Sequence, residues 1–187
     1  MKILVIGGSS GIGKEVCKNF SPNSFSVSRS NGYDIRKLED RIKISDLSLE
    51  YDAVLNHAYC GDHSQTYMLE DLIYKWNENK KNGYIFNTGT VNTYYDKNDW
   101  NMYPVHKNLQ DDIIKRAAKR CQYNGFTFRI TNIRPGMLDT EKSRQKPNWQ
   151  GSGVTGDTFC NVINYLYYLP NYVIIPEIVL ETRLPNE

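Results

Sequence analysis

The sequence predicts an α/β protein: a doubly wound parallel sheet in three α/β/α layers, folded as a single domain. Three observations carry that expectation. Short apolar runs of strand type alternate with segments whose apolar residues recur at helical spacing. The first run passes through a glycine-rich turn directly into a helical pattern. The polar and glycine-bearing clusters fall at the carboxyl ends of the runs, where open α/β sheets bind ligands. No composition shift, repeat or low-complexity tract marks a second domain in the 187 residues.

Ile3, Leu4, Val5 and Ile6 form the first strand. Gly7 to Gly13 leaves no room for a regular element, and Ile12, Val16 and Phe20 then recur with helical spacing. A strand, a tight glycine turn and a helix N-terminus make an anion site. The first helical turn leaves backbone N–H groups unpaired, the helix dipole favours negative charge, and glycines let a pyrophosphate approach the backbone. The spacing Gly7-x-x-x-Gly11-x-Gly13 is a variant of the dinucleotide fingerprint. Gly7, Ser9, Ser10, Gly11, Ile12 and Gly13 are therefore expected to cradle a cofactor.

The second strand, Phe25 to Ser28, follows the turn Ser21-Pro22-Asn23 and ends at Ser28-Arg29-Ser30. The tip of the second strand in a dinucleotide fold faces the adenosine ribose. An acid there binds the ribose hydroxyls of NAD, whereas an arginine accepts the 2′-phosphate of NADP. Arg29 between two hydroxyls favours NADP, with NAD possible. After the Asn31-Gly32 turn, Tyr33-Asp34-Ile35 reads as a short third strand followed by a helix over Lys37 to Ile42, with Leu38 and Ile42 at helical spacing. The alternative is a strand over Arg41 to Ser45 ending at Asp46. Asp34 or Asp46 then meets the adenine edge. The short connection from Arg29 favours Asp34, with Ile35 beside it.

Tyr51 to Asn56 is a buried strand ending at Asn56-His57-Ala58. From Met68, the residues Leu69, Leu72, Ile73 and Trp76 mark an amphipathic helix with Glu70, Asp71 and Lys75 on its charged face, closed by Asn82-Gly83. Tyr84 to Asn87 is the next strand, ending in Thr88-Gly89-Thr90. A polar loop, Asn92 to Asn101, leads to a helix from about Met102 to Cys121, with Val105, Leu109, Ile113, Ile114 and Ala117 in period. Phe126 to Ile133 is a strand that Arg134-Pro135-Gly136 breaks. Glu141 to Asp157 is polar, rich in Gly and Pro, and reads as mobile. Thr158 to Leu169 is a helix, and Tyr172 to Ile175 with Ile178 to Leu180 supplies the last strand.

Composition excludes several classes. The chain is 40% hydrophobic and 24% charged with net charge +2, which argues for neither a nucleic-acid nor a membrane surface. No apolar run approaches the roughly 20 residues of a membrane span. Met1-Lys2-Ile3 enters a strand at once, so no signal peptide and a cytoplasmic location are expected. Cys17, Cys60, Cys121 and Cys160 are scattered, without a C-x-x-C pair or a histidine at metal spacing. They read as reduced packing cysteines, and no metal site is expected.

The reactive groups come last. Tyr103 and Lys107 are four apart on one helix and share a face. A nearby ammonium stabilises a phenolate and lowers the tyrosine pKa from its ordinary value near 10, which suits proton transfer. Pro104 is tolerable in the first helical turn, so Tyr103 stands at the helix mouth. Thr90 adds a hydroxyl at the end of the preceding strand.

In these residues the sequence resembles the short-chain dehydrogenase/reductase family over most of its length. The Gly7-x-x-x-Gly11-Ile12-Gly13 turn resembles the family's nucleotide loop. Asn56-His57-Ala58-Tyr59 stands where the family has Asn-Asn-Ala-Gly. Thr90 falls at the position of the catalytic serine, and Tyr103-x-x-x-Lys107 is the signature pair. Pro135-Gly136-Met137-Leu138-x-Thr140 resembles the segment that contacts the nicotinamide carboxamide. The resemblance implies a Rossmann-like fold, NAD(P) binding, and reduction of a small-molecule carbonyl or oxidation of the corresponding alcohol. Tyr103, Lys107 and Thr90 would be catalytic. Ser28, Arg29, Ser30, Asn56, His57 and Ala58 would join the glycine turn in holding the cofactor. It also implies a homodimer or homotetramer, built through the Met68 to Lys80 and Met102 to Cys121 helices. Tyr94, Trp100 and Trp149 are candidates to line the substrate pocket. The alternative is a non-catalytic NAD(P)-binding sensor or scaffold. A sugar-nucleotide epimerase or dehydratase ranks third, because few residues follow Pro135 to form its substrate domain.

Overall fold

The computed structural model describes residues 1–94, 102–123 and 125–183. At its centre lies β1 (Ile3–Ile6), buried on both faces, as a continuous apolar run in a parallel sheet requires. Five further strands are parallel to it: β2 (Ser24–Val27), β3 (Ala53–Asn56), β4 (Tyr84–Thr88), β5 (Arg129–Pro135) and β6 (Glu177–Leu180). Their order is β2-β1-β3-β4-β5-β6. The chain winds to one side from β1 to β2, then crosses back to β3, so the direction of winding reverses between β1 and β3. A crevice at the carboxyl ends of the strands is expected at that point.

Helices cover both faces. On one lie α1 (Gly11–Asn19) and α6 (Gly156–Tyr168), where Ile12, Val16, Phe159 and Ile163 pack on Ile3 and Val5. On the other lie α2 (Leu38–Ser48), α3 (Ser64–Glu78) and α4 (Met102–Gln122), where Ile44, Met68, Leu72 and Ile114 pack with Leu4 and Ile6. Successive β1 residues thus serve opposite layers, as the pleat dictates. Trp76, one of the residues marking the apolar face of α3, is fully buried, and its Nε1 donates to Ser48 Oγ at 2.7 Å. The four cysteines are free. Among the described residues no helix is long and apolar enough to cross a membrane.

The structure corrects several expectations. Neither Tyr33–Ile35 nor Arg41–Ser45 is a strand, and β2 is the sheet edge. The Asp34 carboxylate accepts from Arg36 N, and the Asp40 carboxylate accepts from Asp34 N. Local side-chain bonds thereby take backbone donors that a ladder would need. The helix there runs to Ser48, and its buried face is Ile44, Ser45 and Ser48, while Leu38 and Ile42 are exposed. β5 begins at Arg129 and includes Pro135, and Tyr172 to Ile175 is not strand. Glu141 to Asp157 carries a short helix, α5 (Glu141–Arg144), capped by the Thr140 side chain, and a parallel bridge from Leu138 to Val154. α3 begins at Ser64, four residues before Met68, with Asp62 accepting from Ser64 N and Oγ in a local turn just before it.

The largest difference concerns α4. Val105 and Leu109, expected in its apolar stripe, are exposed, while His106, Lys107, Gln110 and Asp111 are buried. Beneath them the sheet is polar. Asn56, Asn87 and Asn132 are register partners on three adjacent strands, and all are buried. Asn56 Nδ2 donates to Asn87 Oδ1 at 2.9 Å, and Asn87 Nδ2 donates to Asn132 Oδ1 at 3.0 Å and Gln110 Oε1 at 3.1 Å. The polar side of α4 turns inward because that floor offers it partners.

Candidate active site

A cleft of about 1060 Å³ opens over the carboxyl ends of the strands. Of the residues singled out from sequence, Gly7, Ser9, Ser10, Ser28, Arg29, Ser30, Ile35, His57, Ala58, Thr90, Tyr103, Lys107, Pro135, Gly136, Met137 and Leu138 line it. Gly11, Ile12, Gly13, Asp34, Asn56 and Thr140 do not.

The glycine turn is shaped by close approaches. Gly7 has φ +97°, and a Cβ there would stand 2.8 Å from Ala58 N. A Cβ on Gly13 would stand 2.3 Å from the Gly7 carbonyl oxygen, so Gly13 lets α1 pack against the turn. Ile12 is a core residue. Ser10 is the N-cap of α1 without a side-chain cap bond, and the first turn holds no acid. The opening N–H groups of α1 therefore lack a competing side-chain anion. Thr140 caps α5, and its methyl would lie 3.8 Å from a Cβ on Gly11.

At the tip of β2, Ser28 N donates to Asn31 Oδ1 at 2.7 Å, and the Ser28 and Ser30 hydroxyls bond at 2.9 Å. These bonds hold a 3₁₀ turn, Arg29–Asn31, with Arg29 exposed on the cleft edge. Asp34 turns away to Arg36 Nε at 2.9 Å, and that bond holds its carboxyl down at about 2. Asp46 pairs with Lys75. Neither carboxylate lines the cleft; Tyr33 and Ile35 do.

Tyr103, Lys107 and Thr90 come together at the other end. Thr90 lies two residues past β4 and is hydrogen-bonded to the Tyr103 phenol. Lys107, one turn along α4, is buried; its Nζ donates to the Thr88 carbonyl at 2.6 Å and Gln65 Oε1 at 2.7 Å. Burial pushes the Lys107 ammonium down to about 7, opposed by the charge of Asp111. Burial also pushes the Tyr103 phenol up, opposed by the Thr90 bond. The Tyr103 phenol is thus raised where a lowering by Lys107 was expected: burial sets the direction of the shift, and Lys107 Nζ lies 5.7 Å from the ring centre. His57 Nδ1 lies 3.1 Å from Thr88 Oγ1, and burial, aided by the Lys107 charge, pushes its imidazole down to about 4.

Sequence reasoning missed four residues here. Gln65 sits in a stretch that reads as loop. Tyr59 lays its ring edge-on against Tyr103, centres 4.9 Å apart, and its hydroxyl lies 3.2 Å from His106 Nδ1. Arg134 is buried, pairs with Asp111 at 2.9 Å and Glu177 at 2.5 Å, and donates through Nε to the Thr90 carbonyl at 3.3 Å. Asp111 also accepts from Asn132, which joins Arg134 to the asparagine floor. Period-3.6 reasoning treats Asp111 as part of the outer face of α4, and Gln65, Tyr59 and Arg134 stand in polar or loop-like stretches with no period to mark them. Among the candidate pocket aromatics, Tyr94 lies under the Arg134 guanidinium and donates to Glu177 at 2.6 Å, outside the cleft lining. Trp149 does not line the cleft either, and Trp100 lies outside the described residues.

These residues fit a nicotinamide dinucleotide. The glycine turn packs too closely on Ala58 and on itself for Cβ atoms at Gly7 and Gly13, which brings its backbone to the cleft, the α1 terminus is open to an anion, and no acidic side chain among the described residues lines the cleft. Its volume is at the upper end for small-molecule sites.

No family model matches the sequence, and no curated protein matches it. Solved structures match over nearly the whole chain. A β-ketoacyl-[ACP] reductase from Bacteroides thetaiotaomicron is 20% identical with TM-score 0.73, covering 97% of this chain and 97% of that one. A 3-ketoacyl-(acyl-carrier-protein) reductase from Brucella melitensis, complexed with NADH, is 14% identical with TM-score 0.73, covering 96% and 95%. A serine dehydrogenase in its closed form, complexed with NADP⁺, is 16% identical with TM-score 0.72, covering 96% and 94%. The chain adopts the Rossmann-like α/β fold of the short-chain dehydrogenase/reductases.

Proposed function

We propose that the protein is an NADP(H)-dependent oxidoreductase that reduces a carbonyl of a small molecule, or oxidises the corresponding alcohol. The observation that carries this reading is the meeting of Tyr103, Thr90 and Lys107 in one cleft with the Gly7 turn and Arg29. A bound nicotinamide supplies or accepts the hydride. The protein's own part is proton handling and orientation. Tyr103, kept protonated by burial, holds at its phenolic oxygen the proton that the product alkoxide takes. Thr90, hydrogen-bonded to that phenol, orients it and the substrate oxygen. Lys107, with two donors engaged below, has one left for the cleft. Arg29, without a neighbouring acid in the cleft, suits a 2′-phosphate.

The test is NADPH oxidation against a panel of carbonyl compounds, with Tyr103→Phe as the variant. The variant should lose turnover at least a hundredfold, in line with general acid catalysis, and bind NADPH as before. Near-full activity in Tyr103→Phe refutes the assignment. A non-catalytic nucleotide sensor has one observation in its favour, the Tyr59 ring laid against Tyr103. NADPH binding with no turnover on the whole panel would select it.

Two further readings accompany the proposal. Met102, Val105 and Leu109 on α4 and Tyr67 and Tyr74 on α3 are exposed, and they suit a homodimer or homotetramer interface. Sedimentation velocity tests this, and a monomer at micromolar concentration refutes it. The free cysteines suit a cytoplasmic, reducing compartment.

A further inference from the structure

Gln65 is fully buried in the first turn of α3. Its amide can stand only one way round. Nε2 donates to the Asn56 carbonyl at 3.0 Å and reaches the Thr88 carbonyl at 3.4 Å, and carbonyls only accept. A flipped amide would set its oxygen against two carbonyl oxygens and its N–H₂ against an ammonium. Oε1 is therefore aimed at Lys107 Nζ, 2.7 Å away. The grip is reciprocal, because Asn56 Nδ2 donates to the Gln65 carbonyl at 3.1 Å. Asn56, expected to touch the cofactor, instead anchors Gln65.

The ammonium thus meets two neutral oxygens, Gln65 Oε1 and Thr88 O. Asp111, one turn along α4, is committed to Arg134 and Asn132. His57 beside β3 is neutral near pH 7, and the Tyr59 and Tyr103 rings lie 5.6 and 5.7 Å from Nζ. We propose that Gln65 is a positioning residue for Lys107: its locked, uncharged oxygen fixes where Nζ stands and adds no negative charge that would hold the ammonium as a carboxylate does. A carboxylate at the same place would hold the lysine charged. The downward push of burial on Lys107, to about 7, agrees with this geometry. The inference deepens the reading of Lys107 as part of a hydride-transfer site, yet the contact can be tested without turnover.

The experiment is urea unfolding of the purified full chain as a function of pH. An unfolded lysine titrates near 10.4. From about pH 7 to about pH 10 the unfolded chain therefore binds a proton at Lys107 that the folded chain does not. Folded stability rises with pH there, by up to about tenfold in the unfolding constant per pH unit. The wild type is expected to carry this contribution. Gln65→Glu should abolish it, and Gln65→Met, which removes an acceptor, should extend it to lower pH. Tyrosine and cysteine titrations, including the buried Cys121 and Cys160 thiols whose raised pKa lowers stability as pH rises, are common to all three proteins, so the Lys107 contribution is read as the difference between profiles. A Gln65→Glu profile with the wild-type slope overturns the proposal. If Gln65→Glu does not fold, coincident Gln65→Met and wild-type profiles overturn it. If the slopes behave as expected but no carbonyl is reduced, the oxidoreductase reading fails and the Gln65 assignment stands.

Discussion

Replacing Asn87 with leucine tests whether the asparagine floor is an integrated structure. Asn87 makes three side-chain bonds at zero exposure: it accepts from Asn56 Nδ2 and donates to Asn132 Oδ1 and Gln110 Oε1. Asn87→Leu keeps a similar volume but strands two buried acceptors and one N–H. Each stranded group costs about 1–3 kcal/mol, so the gross loss is about 3–9 kcal/mol. The leucine's own burial offsets about 2 kcal/mol of it. The net loss of about 1–7 kcal/mol is a sizeable share of a typical domain's stability of about 5–15 kcal/mol. At about 2–4 °C per kcal/mol for this size, the melting temperature should fall by at least about 2 °C. Thermal and urea unfolding, each followed by circular dichroism, provide the assay. Asn132→Leu alone should also destabilise, by stranding Asn87 Nδ2 and Asp111 Oδ1. The double variant should lose less than the sum, because the Asn87–Asn132 bond then disappears with both partners. An Asn87→Leu protein as stable as the wild type, or strictly additive losses, would refute the floor as a coupled network.

Two other predictions concern the cleft. Arg29→Ala should weaken NADPH binding by about tenfold or more, as expected for a lost charge-assisted contact of about 1.5–3 kcal/mol, and leave NADH binding nearly unchanged; equal losses in fluorescence titrations would remove its 2′-phosphate role. His57 is held neutral in the folded state, with its imidazole pushed down to about 4 from an unfolded value near 6.5. The unfolded chain binds a proton there first, so stability should fall as pH drops from about 6.5 to about 4, and His57→Asn should show a shallower fall in urea midpoints. A variant with the wild-type acid slope would refute that burial.

Apart from the strand expected at Tyr33–Ile35, the order of strands and helices, the glycine turn and the Tyr103/Lys107 pair were legible because they are local. A buried parallel strand is an apolar run, a phosphate turn needs glycines, and two residues four apart share a helix face. Asp34 was misplaced because its bonds to Arg36 and the Asp40 bond to its own N–H replace a strand with a tight polar turn. The faces of α2 and α4 were also misjudged. Their exposed apolar residues, Leu38, Ile42, Val105 and Leu109, keep a helical period and look like core.

By itself the sequence determined the fold class, the cleft at the strand ends and most of the residues that line it, since each rests on patterns within a few residues. Tertiary structure alone decided what lies beneath the cleft. Asn56, Asn87 and Asn132 are 31 and 45 residues apart along the chain and become neighbours through strand register. Gln65 meets Lys107 across 42 residues. A buried polar side chain is stable where its partners are, and partners brought together by a sheet leave no period in the sequence.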